Sequence, residues 1–220
     1  MVIENNAKDL VKHQIFSFFG GVDNYDQIID WAYPIVLNKL EYCFSYVKNK
    51  YYRRGEQVFF NPLHVGQWTM FLYYMGNVIS KRGERDLCDK LYGISKVISS
   101  ADIFYEINMP DIWFFDHPQG AVMGRANYDD FFSFGQGCTV GNNKGVFPIF
   151  GKHVSMFSDS KVLGACRIGD HVIFAANAYV LDTDIPSYSI VFGQSPNITI
   201  HSIDQAKFNE ITESVFYCDE

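Results

Sequence analysis

One histidine in this chain has neighbours that suit proton transfer. His117 directly follows Asp116, and Gly120, three positions later, lets a substrate approach the backbone closely. A histidine is mostly neutral near pH 7, so its ring can take the proton of a hydroxyl group while the oxygen attacks a carbonyl. A lone histidine is more often structural than catalytic, so the assignment of His117 depends on the elements that position it.

The chain repeats with a period of six residues between positions 122 and 180. Neither the period of a helix, about 3.6 residues, nor that of a strand fits this pattern. A six-residue period is typical of a parallel β-helix, in which each hexad supplies one short strand and one corner. The large apolar members are Val122, Tyr128, Phe134, Val140, Phe150, Met156, Val162, Ile168, Phe174 and Val180. Small or branched residues follow most of them four positions later: Ala126, Cys138, Val154, Ser160, Cys166, Val172 and Ala178.

Three hexads close one triangular coil, and successive coils stack about 4.8 Å apart. A single coil cannot bury its inward side chains alone, so stacking is obligatory. Extra residues at 142–145 interrupt the repeat, and we expect them to leave the prism as a loop, because an insertion inside would shift every later residue off the core. We expect seven inward residues to be buried: Phe134, Val140, Phe150, Met156, Val162, Ile168 and Phe174.

Four motifs lie in and around this repeat. They read Asp116-His117-Pro-Gln-Gly-Ala-Val-Met-Gly124, Gln136-Gly-Cys-Thr-Val-Gly141, Val162-Leu-Gly-Ala-Cys-Arg-Ile-Gly-Asp170 and Asp184-Ile-Pro…Val191-Phe-Gly-Gln-Ser-Pro196. Together they resemble the hexapeptide-repeat acyltransferases, in particular the serine acetyltransferase family and its relatives in surface-polysaccharide gene sets. The resemblance covers roughly residues 84–200. It implies a left-handed β-helix, acetyl-CoA as the acyl donor and His117 as the general base.

The predicted fold class is therefore α+β. We expect an α-helical N-terminal domain over residues 1–101, a left-handed parallel β-helix over 102–200 and a C-terminal tail over 201–220. In the all-helical front half, helical spacing and capping residues predict four helices. They are a short helix or arm ending at Gly20-Gly21, a helix from Asp23-Asn24 to about Lys50 with a kink at Pro34, one from Asn61-Pro62 to about Lys81, and one from about Leu87 to Ser100. The tail is expected to be partly helical from Asp204 to Phe216.

A catalytic histidine needs an acidic partner that fixes its tautomer and stabilises the imidazolium. By the resemblance, the partner comes from the junction Tyr105-Glu106-Ile107, which makes Glu106 the first candidate. Asp102 is the second, since it keeps the family's spacing to the histidine, and Asp111 is the third. Asp116 is expected to point toward the acceptor.

The resemblance also implies where acetyl-CoA binds. Its pantetheine arm would run along a groove between two prisms and bond to stacked corners. The backbone N–H groups of Gly141 and Asn142 are candidates for binding the oxyanion, with Gly141 on the donor side and Asn142 on the acceptor side. Bulky residues at Phe157 to Ser160 narrow the expected groove. The matched cofactor-binding positions are Gly141, Ser158, Gly164, Ala176 and Asn177.

One departure from the family bears on the acceptor. Serine acetyltransferases carry Arg-His-Pro after the loop, whereas this chain carries Val146-Phe147-Pro148. Phe147 lacks the charge that would pair with the carboxylate of serine and suits the face of a sugar ring better. We therefore expect a sugar hydroxyl, such as a capsule or lipopolysaccharide unit, as acceptor. The alternatives are a serine O-acetyltransferase and a non-catalytic scaffold.

Composition limits the partners. The net charge is −7, and no long basic run exists, so we expect no nucleic-acid partner. The basic tract 48–54 is read as a solvated helix end, or else as a contact to phosphate or an acidic glycan. Five cysteines without a paired motif predict packing thiols, and we expect no metal, with His153 and His171 stacked on a solvent-facing corner. We expect no membrane span and a cytoplasmic homotrimer, with a hexamer as the alternative.

Overall fold

The computed structural model describes residues 1–4, 6–20, 25–212 and 215–217. In these ranges an N-terminal helical part is followed by a parallel β-solenoid of about five turns. No helix in the described ranges is long and apolar enough to cross a membrane. The helices are α1 (Ala7–Phe19), α2 (Asp26–Tyr46), α3 (Val65–Ser80), α4 (Arg85–Ser99) and α5 (Gln205–Thr212), with one 3-10 turn at Lys50–Tyr52.

The sequence predicts an all-helical front half, and the structure corrects this prediction. Three short strands form a sheet there: β1 (Val2–Ile3), β2 (Arg53–Arg54) and β3 (Gln57–Phe60). β1 runs parallel to β3, and β2 runs antiparallel to it. Val58 and Phe60 face the core, while Phe59 is only partly buried between them. This alternation is only four residues long, which is too short to stand out from the flanking helical patterns.

The end of α1 confirms its prediction from the sequence, and the start of α3 corrects its own. α1 ends at Phe19, where Gly20 adopts a φ of 62°, as expected for a glycine stop. α3 begins later than predicted, because Asn61 accepts the backbone N–H of Leu63 and forms a turn instead of a cap. The N-cap of α3 is His64. The cap predicted at residues 23–24 lies outside the described residues.

The solenoid is built from thirteen further strands on three faces. The strands are β4 (Asp102–Ile103), β5 (Trp113–Phe115), β6 (Val122–Met123), β7 (Phe132–Phe134), β8 (Thr139–Gly141), β9 (Ile149–Phe150), β10 (Ser155–Met156), β11 (Lys161–Leu163), β12 (Arg167–Ile168), β13 (Val172–Phe174), β14 (Tyr179–Leu181), β15 (Ser189–Gln194) and β16 (Asn197–Ser202). The first face is β5-β7-β10-β13-β15, the second is β4-β6-β8-β11-β14, and the third contains β9 and β12. All these neighbours pair in parallel, and β16 closes the edge as an antiparallel partner of β15.

Three corners join the faces, and each is a column of stacked residues. We name them from the backbone bonds and pairings that link one coil to the next. The first corner holds Gln119, Gln136, Ser158 and Ala176; the second holds Asn142, Gly164 and Asp182; the third holds Phe131, His153, His171 and Tyr188.

The six-residue phase is confirmed through most of the solenoid. All seven residues predicted to point inward are buried, and Cys138 and Cys166 fill small inward positions as expected. The phase fails at its start. Val122 is 40% exposed, whereas Met123 is 1% exposed and pairs with Val140. This coil is therefore one residue shorter than the sequence period assumed.

The third corner is half-covered by aromatic rings. The rings of Phe131, His153, His171 and Tyr188 stack in one column, with centroid distances of 4.2, 4.7 and 4.6 Å between neighbours. Phe208 of α5 packs its edge on the two histidines. Burial lowers the pKa of His153 to about 4, and the neighbouring His171 adds to this. The predicted stacking of the histidines is right, and their predicted solvent exposure holds only in part, because both imidazoles are half-buried.

The tail is held against the rest of the chain. β16 extends the solenoid, α5 lies on the third corner, and Phe216 bridges to Val47 beyond α2. The helix predicted over 204–216 ends at Thr212, and residues 213–214 lie outside the described ranges.

The ring column predicts a loss of stability in mild acid. The unfolded chain binds a proton at His153 near pH 6.5, whereas the folded chain binds it only near pH 4. Between these values the unfolded state carries more protons, so the free energy of unfolding falls as the pH falls. His153→Phe should keep the stack and weaken this dependence, measured as urea midpoints at pH 7 and pH 5. An equal fall of the urea midpoint between pH 7 and pH 5 in wild type and in His153→Phe would contradict this prediction. His13→Phe, at an exposed position, serves as the control.

Candidate active site

The first corner contains more residues in the first coil than in the second coil. Phe115 pairs with Phe134, yet Gln119 follows Phe115 by four positions while the equivalent Gln136 follows Phe134 by two. The corner containing His117 is therefore two residues longer than the next one. His117 adopts a φ of 49°, and its side chain is 76% exposed. The extra residues make this imidazole project from the prism.

Asp116 is the acid that the chain places beside His117. Its Oδ1 lies 3.7 Å from Nε2 of the imidazole, and both side chains are exposed. In the described ranges it is the carboxylate found within 4 Å of the His117 ring. At this distance a carboxylate stabilises an imidazolium, although solvent weakens the interaction.

The three acids proposed from the sequence as partners of His117 face other groups. Glu106 follows β4 and lies 3.4 Å from Arg125, which occupies the same edge of the next coil. Asp102 bonds to Lys96 and to the hydroxyl of Tyr92 on α4. Asp111 faces Lys39 on α2 at 3.7 Å. Within one chain Glu106 faces Arg125, and the acid beside His117 is Asp116, so the pairing of Glu106 with His117 stays a prediction.

A cleft of about 490 Å³ separates the His117 corner from the helical part. On one side it is lined by Asp116, His117 and the rings of Phe114 and Phe115; on the other it is lined by residues that include Tyr51, Tyr52 and His64. None of the described residues that line the cleft is a lysine or an arginine. Over this described lining, the cleft combines aromatic walls with one carboxylate and two histidines.

His64 is a member of this cleft that sequence reasoning missed. Burial lowers the pKa of His64, and the charge of Asp116 acts in the opposite direction. The residue sits in the turn between β3 and α3, with no motif around it. Only the docking of the helices on the first coil brings it near Asp116.

A second, smaller cavity of about 220 Å³ adjoins the cleft and shares Phe114 and Asp116 with it. It follows the first corner, where Gly135, Phe157 and Ser158 line it. Three predicted acetyl-CoA positions, Ser158, Ala176 and Asn177, lie along this corner. A Cβ at Gly137, whose φ is 65°, would lie 2.0 Å from Oδ1 of Asp159, so any side chain there would have to displace that carboxylate.

The other predicted site residues lie on the second corner. Residues 142–145 leave the prism as expected, and the loop is closed by paired backbone bonds between Asn143 and Val146. Asn142 and Gly164 occupy equivalent positions there, directly after Gly141 and Leu163, and Phe147 follows the loop. Gly141, Asn142, Phe147 and Gly164 are therefore separated from His117 within one chain by a whole face of the prism.

Comparisons with known proteins agree with this architecture. No family model matches the chain. The serine acetyltransferases of two Helicobacter pylori strains, 26695 and J99, are each 29% identical over 137 residues, which is 60% of this chain and 79% of theirs. The chain resembles the serine acetyltransferases. The sequence likeness indicates an acyltransferase of the hexapeptide-repeat type.

Solved structures of serine acetyltransferases share the fold. One in complex with cysteine has a TM-score of 0.72 at 19% identity and covers 96% of this chain and 84% of its own. Another, in complex with CoA, has a TM-score of 0.67 at 18% identity, covering 89% and 86%. At these identities the structures support the helical front half and the solenoid, and the acyltransferase assignment depends on the sequence match.

Proposed function

We propose that this chain is an acetyl-CoA-dependent O-acetyltransferase in which His117 takes the proton of the acceptor hydroxyl. The observation that carries the proposal is the lengthened corner, which projects His117 into the cleft beside Asp116. The serine acetyltransferase relatives and the fold shared with a CoA complex support acetyl-CoA as the donor.

The chemistry follows from the two side chains at this corner. The neutral ring of His117 accepts the hydroxyl proton while the acceptor oxygen attacks the thioester carbonyl. The acetyl carbon then loses the thiolate, which receives the proton back from the imidazolium. Asp116 stabilises the imidazolium while it exists.

The residues of the first corner fit an acyl donor. The small cavity beside Asp116 runs past Gly135 and Ser158, and Ala176 and Asn177 continue the corner beyond it. Acetyl-CoA would supply the activated thioester there, and Phe157 would limit the width of the groove.

The second corner would join the site only through another copy of the chain. Gly141, Asn142, Phe147 and Gly164 lie a face away from His117 in one protomer. We propose that a homotrimer brings this corner of one copy to the His117 corner of its neighbour. Glu106, which lies on the same edge as Arg125, would approach a neighbour in the same way.

Serine is the acceptor that the comparisons favour, since the curated relatives are serine acetyltransferases. It therefore takes precedence over the sugar hydroxyl favoured by the sequence analysis. A sugar remains the second candidate on two observations: Phe147 replaces the family's polar residue, and no lysine or arginine of the described residues lines the cleft. The carboxylate of serine would consequently need a charged partner from outside this cleft.

The base assignment predicts a large loss of turnover in His117→Gln. General-base catalysis contributes about 10²–10⁴-fold, so kcat should fall by that factor while the KM for acetyl-CoA stays nearly constant. Release of CoA, followed with a thiol reagent, measures both constants. His13→Gln, on the exposed surface of α1, is the matched control. Retention of most of the turnover in His117→Gln would remove His117 from catalysis.

The acceptor is decided by a panel of L-serine and simple saccharides, with the products identified by mass spectrometry. A serine O-acetyltransferase should form O-acetylserine with the highest kcat/KM, and Phe147→Ala should change it little. A sugar acetyltransferase should instead lose acceptor affinity in Phe147→Ala, raising KM more than it lowers kcat. CoA release that no hydroxyl compound accelerates would favour the scaffold.

A further inference from the structure

The wall of the cleft opposite His117 is organised around His64, which has no part in the mechanism above. Nδ1 of His64 accepts the backbone N–H of Gln67 at 3.3 Å and so caps α3. The ring lies between Tyr51 and Tyr52, with centroid distances of 5.9 and 5.7 Å. The cap and the two neighbouring rings together fix the orientation of the imidazole.

The cap bond decides which nitrogen of His64 carries the hydrogen. Because Nδ1 uses its lone pair for Gln67, the neutral ring holds its proton on Nε2. Among the residues that the structure describes, the bond to Gln67 is the hydrogen bond found for the His64 ring, and it leaves Nε2 uncommitted. This N–H is therefore available to a ligand in the cleft.

The segment that carries His64 is rigid. The buried side chain of Gln67 donates to the carbonyl of Tyr51 at 2.8 Å and accepts the N–H of Asn61 at 2.7 Å. These two bonds tie the strand side of the turn to the start of α3. A donor held in this way loses little conformational freedom when it binds a ligand.

We propose that His64 determines acceptor specificity by donating its Nε2–H to an oxygen of the acyl acceptor, across the cleft from Asp116 and His117. The inference rests on the proposed O-acetyltransferase function. A neutral donor facing Asp116, with no lysine or arginine among the described residues of the lining, suits a hydroxyl oxygen better than a carboxylate. The acceptor class for this donor is thus a compound with at least two hydroxyl groups, one for His64 and one for His117, which is the second candidate above, the sugar, and not serine.

Two variants separate this role from the helix cap. His64→Asn keeps a side chain that is favoured at an N-cap but is too short to reach the acceptor. His64→Phe keeps an aromatic ring between the tyrosines but loses both the cap bond to Gln67 and the proposed bond to the acceptor. With D-glucose and L-serine as probes, both variants should raise the KM for the polyhydroxyl probe about three- to tenfold, the worth of one hydrogen bond. The KM for acetyl-CoA should stay within about twofold, as should all constants of the control His13→Asn.

Wild-type KM values in His64→Asn would overturn the inference and leave His64 as a helix cap only. A larger effect on L-serine than on D-glucose would overturn the acceptor class. If wild type shows no acceptor-dependent release of CoA, the proposed function itself fails. Calorimetric titration of both probes into wild type and His64→Asn then tests the role of His64. Equal affinity of the two proteins for D-glucose, or no binding of either probe to either protein, overturns the inference.

Discussion

The coil-to-coil register of the solenoid is the constraint on which the rest of the molecule depends. Each inward side chain is buried only because the equivalent residues of the coils above and below cover it. Met156, for example, is covered by Phe134 on one side and by Phe174 on the other. An extra residue inside a strand would move every later side chain to the wrong face. Extra residues are therefore tolerated only at corners, and this chain places them at its two candidate functional positions.

The helical part converts one of these corners into a cleft. Trp113 in the first coil is fully buried, and its indole N–H donates to the hydroxyl of Tyr74 on α3 at 2.8 Å. From the same helix, Tyr73 donates to the carbonyl of Ile107, and Asn77 donates to that of Tyr105. These buried bonds fix α3 on the first coil, and with it the His64 wall that faces Asp116 and His117.

Most of the fold could be predicted from the sequence, because a six-residue period is typical of one architecture, the parallel β-helix. The burial of residues such as Phe174 follows from that period. The failures have local causes. Val122 was placed inward because a period cannot reveal that a coil is one residue short, and β3 was missed because four residues carry little pattern.

The candidate site was harder to predict because it depends on tertiary contacts. His117 and Asp116 were found through a motif, whereas His64 has none. The resemblance indicates Glu106 as a partner, whereas its contact with Arg125 depends on how the coils stack. The ring column at the third corner shows the same limit: stacking of His153 on His171 follows from the repeat, whereas its cover by Phe208 does not.

Direct transfer of an acetyl group from the thioester to a bound hydroxyl is the central claim. It is tested most directly by mixing wild-type protein with acetyl-CoA, with and without acceptor, and measuring both the intact protein mass and free CoA. The account predicts an unmodified protein throughout and rapid CoA release only after a hydroxyl acceptor is added. An acetylated enzyme that forms before the acceptor arrives, and then passes its acetyl group on, would contradict it.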